Sequence, residues 1–164
     1  MLDQIAEVHA ACTPERAFEH IAVQFFENHP RWDRDIVELT QTSPGPMGHG
    51  TTGREVRRAG GRRFVTEFRI SEFEPSRAFA HRSTSGAMGE DVDYVIEPDG
   101  SGSKIRTRVR IYPKTFMLRM LTPMIRPQIR RNYERNIARF EKLLNSSDGK
   151  TGPSGAATEQ MSPS

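Results

Sequence analysis

The fold turns on the stretch "SKIRTRVRIYPKTFMLRMLTPMIRPQIRRNYERNIARFEKLL", residues 103–144, because its hydrophobic period changes partway along. In its first part Ile105, Thr107, Val109 and Ile111 alternate with Lys104, Arg106, Arg108 and Arg110. A period of two places these sets on opposite faces of a β-strand, so the strand belongs to a sheet with one covered face and one wet face. From residue 115 to 144 the spacing is helical. Leu118, Leu121, Ile125, Ile129, Tyr133, Ile137, Phe140 and Leu144 step by three or four into one apolar stripe. Inside this predicted helix stand Pro123 and Pro127, with Met117, Met120 and Met124 around them. A proline in a helix interior removes a hydrogen bond and crowds the preceding turn, at about 3 kcal/mol, so both prolines need a reason.

Upstream, the period of two continues. "GEDVDYVIEP" (89–98) and "SRAFAHRSTSG" (76–86) read as strands, and "TTGREVRRAGGRRFVTEFRISEFEP" (51–75) as a hairpin turning at Ala59-Gly60-Gly61. "RDIVELTQT" (34–42) is a short strand, followed by the Gly/Pro loop "SPGPMGHGTTG". Before it, "CTPERAFEHIAVQFFENHP" (12–30) has Thr13 as N-cap, Pro14 at the first helical position, and Phe18, Ile21, Ala22 and Phe25 at helical spacing. Pro30 is expected to end that helix. "QIAEVHAA" (4–11) opens the chain as a half-buried strand. The predicted order is strand, helix, six-stranded antiparallel meander and one long helix, an α+β arrangement in a single domain over residues 1–144. Residues 145–164, "NSSDGKTGPSGAATEQMSPS", have the composition of a disordered tail.

Composition narrows the chemistry. The 164 residues suit one core, and no apolar run reaches bilayer length, so a cytoplasmic protein without stable membrane insertion is expected. Cys12 stands alone without zinc-type spacing, and GxGxxG, Walker and HExxH motifs are missing, so neither a metal nor a cofactor is expected. Of the 24 basic residues 20 are arginine, a bias that suits phosphate recognition or a GC-rich coding sequence equally. Arg126, Arg130, Arg131, Arg135 and Arg139 recur along the last helix, and Arg57, Arg58, Arg62 and Arg63 crowd one hairpin. Few aromatics lie beside them, and Glu134 and Glu141 interrupt the helix stripe. They read as a solvated face, and no nucleic-acid partner is expected.

The element order, with "VHAACTPERAFEHIA", "GPMGHGTTGREVRR", "EFRISEFEPSRAFAHR" and "YVIEPDGSGSKIRTRVRI", resembles the START-like or SRPBCC superfamily over residues 3–144, and within it the polyketide cyclase/dehydrase-like branch. The shared motifs are structural: Pro14-Glu15 opening the first helix, Gly48-x-Gly50 before a strand, and Glu72-x-x-Pro75-x-Arg77 at a strand turn. The resemblance implies a helix-grip fold, in which a curved antiparallel sheet wraps a long C-terminal helix around an internal apolar cavity. It implies a protein, monomer or homodimer, that binds a hydrophobic small molecule such as a lipid, an aromatic or a polyketide. The alternative is a cyclase or aromatase that transfers protons with cavity polar groups. The metal ligands of the ring-hydroxylating branch have no match.

Alternation then places Phe64, Thr66, Phe68 and Ile70 inward, with Phe79, His81 and Ser83, then Val92, Tyr94 and Ile96, and the Ile105–Ile111 set. His81 suits acid–base exchange or a satisfied core position, and Tyr94 suits a ligand carbonyl or a backbone partner. Arg54 is a rim residue or a solvated one, Trp32 a cavity end or a core plug, and His49 a contact at the mouth or a loop residue. Asp91 and Asp93 fall on the wet face and are not paired as catalytic carboxylates. In such a fold Met117, Met120, Leu121 and Met124 would line the mouth with pliable surface, loosened by the prolines. Alternatively Pro123 starts a second helical segment and Met117 and Met120 fill core.

Overall fold

In the computed structural model, which describes residues 1–59 and 61–146, seven strands make one antiparallel sheet. They are β1 (Leu2–Ala10), β2 (Ile36–Gln41), β3 (Thr52–Ala59), β4 (Arg62–Glu74), β5 (Ala78–Ser83), β6 (Met88–Asp99) and β7 (Gly102–Pro113). Strands β2 to β7 follow one another as a meander, and β1 pairs with β7, giving the order β1-β7-β6-β5-β4-β3-β2. Register shifts at Ile36/Glu38 and Ile70/Glu72 let the long strands bend, and the sheet curves around the last helix in a helix-grip arrangement.

The pairing carries the alternation across the sheet. Val92 lies opposite Val109, Tyr94 opposite Thr107 and Ile96 opposite Ile105, while Phe79 meets Tyr94 and His81 meets Val92. The other face is laced with ions: Arg108 with Asp3, Arg106 with Glu7, Arg82 with Asp93, and Arg110 with Asp91 and Asp93. The largely exposed pairs with Asp3 and Glu7 contribute little, while those of Arg82 and Arg110 with Asp91 and Asp93 are half-buried. Asp91 and Asp93 lie on it as expected.

Between β1 and β2 run α1 (Pro14–Phe18), a π-helical turn (Glu19–Val23) and α2 (Phe25–Trp32). The Thr13 hydroxyl accepts from the Arg16 N–H at 3.5 Å and Pro14 stands at the first position, as the cap signal predicts. Pro30 does not end α2. It sits in the last turn and forfeits one bond, the one its N–H would have made to Phe26, while the Asp33 N–H still closes on the His29 carbonyl at 3.0 Å. These helices cover one end of the inner face: Phe18, Ile21 and Phe25 pack with Phe68, Ile70 and Phe79 in the core.

The last helix, α3 (Phe116–Ser146), is one uninterrupted element with both prolines inside it. Its end is held by Asn145, which accepts from the Ala11 N–H at 2.8 Å and donates to the His9 carbonyl at 3.1 Å. Residues 145 and 146 therefore belong to the helix rather than to a tail, and residues 147–164 lie outside the described residues.

Candidate functional site

The inner face of the sheet packs directly against the C-terminal part of α3, through Phe140 and Leu144, but not against its N-terminal part. A cavity of about 830 Å³ lies between them. The sheet contributes Phe64, Thr66, Val92, Tyr94, Thr107, Val109 and Ile111, and α3 contributes Leu118, Ile125, Ile129, Tyr133 and Ile137. Trp32 and Phe140 also line it, their rings 4.9 Å apart. Thr107 and Tyr133 join across it through their hydroxyls at 2.8 Å. A wall of this size that is apolar over most of its area, with polar and charged groups on the rest, suits a small-molecule site.

The polar groups gather on one side. Arg57 of β3 donates through Nη1 to Asp33 at 2.6 Å, through Nη2 to Glu90 at 2.9 Å, and through Nε to Glu55. Asn136 of α3 donates to Asp33 at 2.8 Å and Asn132 to Asp35 at 2.7 Å, so α3 is tied to the same group. His29 Nε2 lies 3.9 Å from Asp33. Burial alone would raise the Asp33 carboxyl, but the charge of Arg57 and the neighbouring His29 outweigh it and hold it well below the usual carboxylate range. Glu90 goes the other way. Burial pushes it up to about 7, with Glu55, Asp33 and Asp91 adding to the rise against the pull of Arg57. Burial likewise raises the Tyr94 hydroxyl, which stays protonated and can donate.

Of the residues picked out by alternation, Trp32, Phe64, Thr66, Tyr94 and Thr107 come together around the cavity. Phe68, Phe79 and His81 share their face but not their surroundings. Phe25 of α2 packs over all three, at ring distances of 5.8, 5.3 and 5.3 Å. His81 therefore lies in aromatic core and not on the cavity wall, and neither ring nitrogen has a hydrogen-bond partner among the described residues. Burial, with His29, Arg57 and Arg82 nearby, drives its pKa well below the usual value, leaving a neutral imidazole.

The expectation of Arg54 as a ligand contact is corrected: it points away from the cavity and pairs with Glu38 at 2.7 Å. His49 takes the second of its two readings, an exposed loop residue. Met117, Met120 and Met124 are 69, 69 and 74% exposed, and Leu121 is 42% exposed. They neither line the cavity nor fill core. Because α3 is continuous, the 100° step that turns Leu118 and Ile125 inward sends these four sideways or outward. Pro123 does not begin a new segment either; the prolines forfeit bonds to the Arg119 and Pro123 carbonyls inside one helix.

Sequence pattern groups Arg57 with the solvated hairpin arginines and does not single out Asp33, Glu55 or Glu90. The hairpin holds the signal nonetheless. A turn at Ala59-Gly60-Gly61 sets Ala59 opposite Arg62, hence Arg57 opposite Phe64 and Glu55 opposite Thr66. If Phe64 and Thr66 point inward, so do Arg57 and Glu55, whereas Arg54 falls on the other parity. Glu90 shares its parity with Val92 and Tyr94.

Known proteins agree with this architecture. The family profile described as polyketide cyclase / dehydrase and lipid transport matches residues 5–145. Uncharacterized proteins of Mycobacterium tuberculosis and Mycobacterium bovis are 36% identical over 99 residues, covering 57% of this chain and 56% of theirs, so the chain spans about half the length of the curated relatives it matches. Among solved structures, a Thermus thermophilus protein superposes with a TM-score of 0.71 at 16% identity, covering 89% of this chain and 99% of that one. The Zhui aromatase/cyclase of a Streptomyces species gives 0.70 at 9% identity, covering 87 and 93%. A START superfamily protein of Mycobacterium smegmatis gives 0.67 at 14%, covering 87 and 95%. Among the described residues no helix is long and apolar enough to cross a membrane.

Proposed function

Because this chain belongs to the polyketide cyclase / dehydrase and lipid transport family, we propose that it binds a hydrophobic small molecule between its sheet and α3. The observation that carries this reading is the cavity of about 830 Å³, walled by apolar side chains of strand and helix such as Val92, Val109, Ile125 and Ile129. Burying an apolar ligand there removes both surfaces from water, at about 25 cal/mol per Å². The test is a titration with Nile red, an uncharged dye, against the parent and an Ile129→Trp variant. Saturable one-to-one binding lost in the variant supports the reading. Weak, non-saturating binding, or equal binding by a folded variant, overturns it.

A second reading is a cyclase-type enzyme. It draws on Glu90, which changes protonation near neutral pH, and on Tyr94, a protonated donor on the same wall. His81 has no part in it, since it does not reach the cavity. Cyclisation of a linear aromatic polyketone by the parent, reduced about 100-fold or more in Glu90→Gln with Nile red affinity retained, favours the enzyme. Binding of the polyketone without turnover favours the first reading.

A further inference from the structure

From the way the carboxylates surround Arg57, we infer that the cavity selects a ligand whose polar end donates hydrogen bonds and carries no negative charge, such as a hydroxyl, and discriminates against carboxylates and phosphates. This rests on the binding reading above and adds the chemistry of the ligand's head.

A buried arginine beside an apolar cavity is the usual device for holding an anion. The charge of Arg57 is already matched by acids, although only three of its five N–H groups are engaged. Each of its three nitrogens already donates to a carboxylate, Nε to Glu55, Nη1 to Asp33 and Nη2 to Glu90. One guanidinium thus faces three acids whose side chains are 9, 7 and 19% exposed at Asp33, Glu55 and Glu90. An incoming carboxylate could reach only a remaining N–H of Nη1 or Nη2, and there it would sit as a fourth acid around one guanidinium, with little water to screen the charges. The amides of Asn132 and Asn136 each direct Nδ2 at an aspartate, so a carboxylate bonded to the remaining N–H would again lie beside an acid.

The acids around Arg57 keep free capacity to accept. Glu55 and Glu90 each bond Arg57 through Oε1, and neither Oε2 makes a hydrogen bond among the described residues. A hydroxyl delivered along the apolar wall can donate to such an oxygen without disturbing the network. The other cations on the lining, Arg58 and Arg135, are exposed. They are where an anion would bind if this assignment is wrong.

The experiment is competition against bound Nile red at pH 8, with 1-decanol and decanoate as probes that differ only in the head group. In the full-length parent, decanol displaces the dye at a concentration about tenfold or more below that needed for decanoate. In the Glu55→Gln/Glu90→Gln double variant decanoate gains about tenfold while decanol changes less than about threefold. Glu90→Gln alone serves if the double variant has no cooperative melting transition. Decanoate competing as well as decanol in the parent overturns the inference, and so does a preference that the glutamine variants leave unchanged. Saturable Nile red binding that neither probe displaces also counts against it. Absence of saturable Nile red binding is a different result, because it removes the cavity reading itself.

Discussion

The two halves of α3 carry one apolar stripe and use it differently. In the C-terminal half Phe140 and Leu144 are 1% exposed, and Asn136 and Asn145 tie the helix to Asp33 and to β1. In the N-terminal half Leu118, Ile125 and Ile129 face a cavity rather than other side chains, and the opposite side shows Phe116, Met120 and Met124 to solvent. Helices in proteins owe most of their stability to the packing of one face. The first half has little of that and carries the two prolines as well; the second has close packing and no proline. Helical periodicity identifies a face that avoids water, but it does not distinguish a face that packs from one that borders empty space.

The largest expected effect comes from truncating Phe140, which is packed as well as lining, set against Ile129, which only lines the cavity. Phe140→Ala removes a ring held against Trp32 at 4.9 Å and Tyr94 at 6.1 Å, and should cost about 3–5 kcal/mol in denaturant unfolding. Ile129→Ala enlarges a space that already exists and should cost about 1 kcal/mol. Equal costs would erase the distinction between the halves.

Next in size is the pH dependence set by the group where the halves meet. The carboxyl of Glu90 is raised to about 7 in the folded chain against 4.5 for the free side chain. From pH 4.5 to 7 the unfolded state gives up its proton while the folded state keeps it, so this group contributes stability at low pH that is lost as pH rises, by up to about 3 kcal/mol. His81, held neutral by burial, acts in the opposite sense: its contribution is present above its unfolded pKa and lost as pH falls below it. The diagnostic is therefore the difference in melting temperature between Glu90→Gln and the parent, which should move in favour of the variant from about pH 5 to about pH 8. A constant offset would show that Glu90 does not titrate in this window.

The prolines come third. Replacing Pro123 and Pro127 with alanine should leave the protein as stable as the parent or more stable, by about 1–3 kcal/mol, because helix bonds are restored in a segment with few tertiary contacts to strain. Release of Nile red, measured by stopped flow, should slow if opening of this segment admits the ligand. A destabilised variant with unslowed release would show that the prolines fit a fixed bend. The smallest effect belongs to Met117, Met120 and Met124, where serine should change stability by less than about 0.5 kcal/mol each.

Much of the fold was legible in local pattern. The shift of period within residues 103–144, the hairpin turn and the Thr13-Pro14 cap identify the meander, the final helix and the first one, because each signal is a short-range steric or hydrogen-bonding preference. Depth along a strand was not legible. Phe64 and Phe68 obey the same alternation, yet one borders the cavity and the other lies under Phe25, which a distant segment supplies. Charge misled in the same way. Arg57 belongs to a run that reads as solvated, and only its pairing with Phe64 across the turn places it inside, where three acids from separate parts of the chain surround it. The methionines show the reverse case: apolar residues whose helical phase directs them out.

The contrast between the halves, and the ligand it serves, meet in one experiment: hydrogen exchange of the α3 amides with and without saturating Nile red. Residues 118–131 should exchange faster than residues 133–146 in the free protein and gain the most protection when the dye is bound. Gains should be smaller in the second half, where Tyr133 and Ile137 also line the cavity. Uniform protection along the helix, indifferent to the dye, would contradict both the division of α3 and the cavity as a binding site.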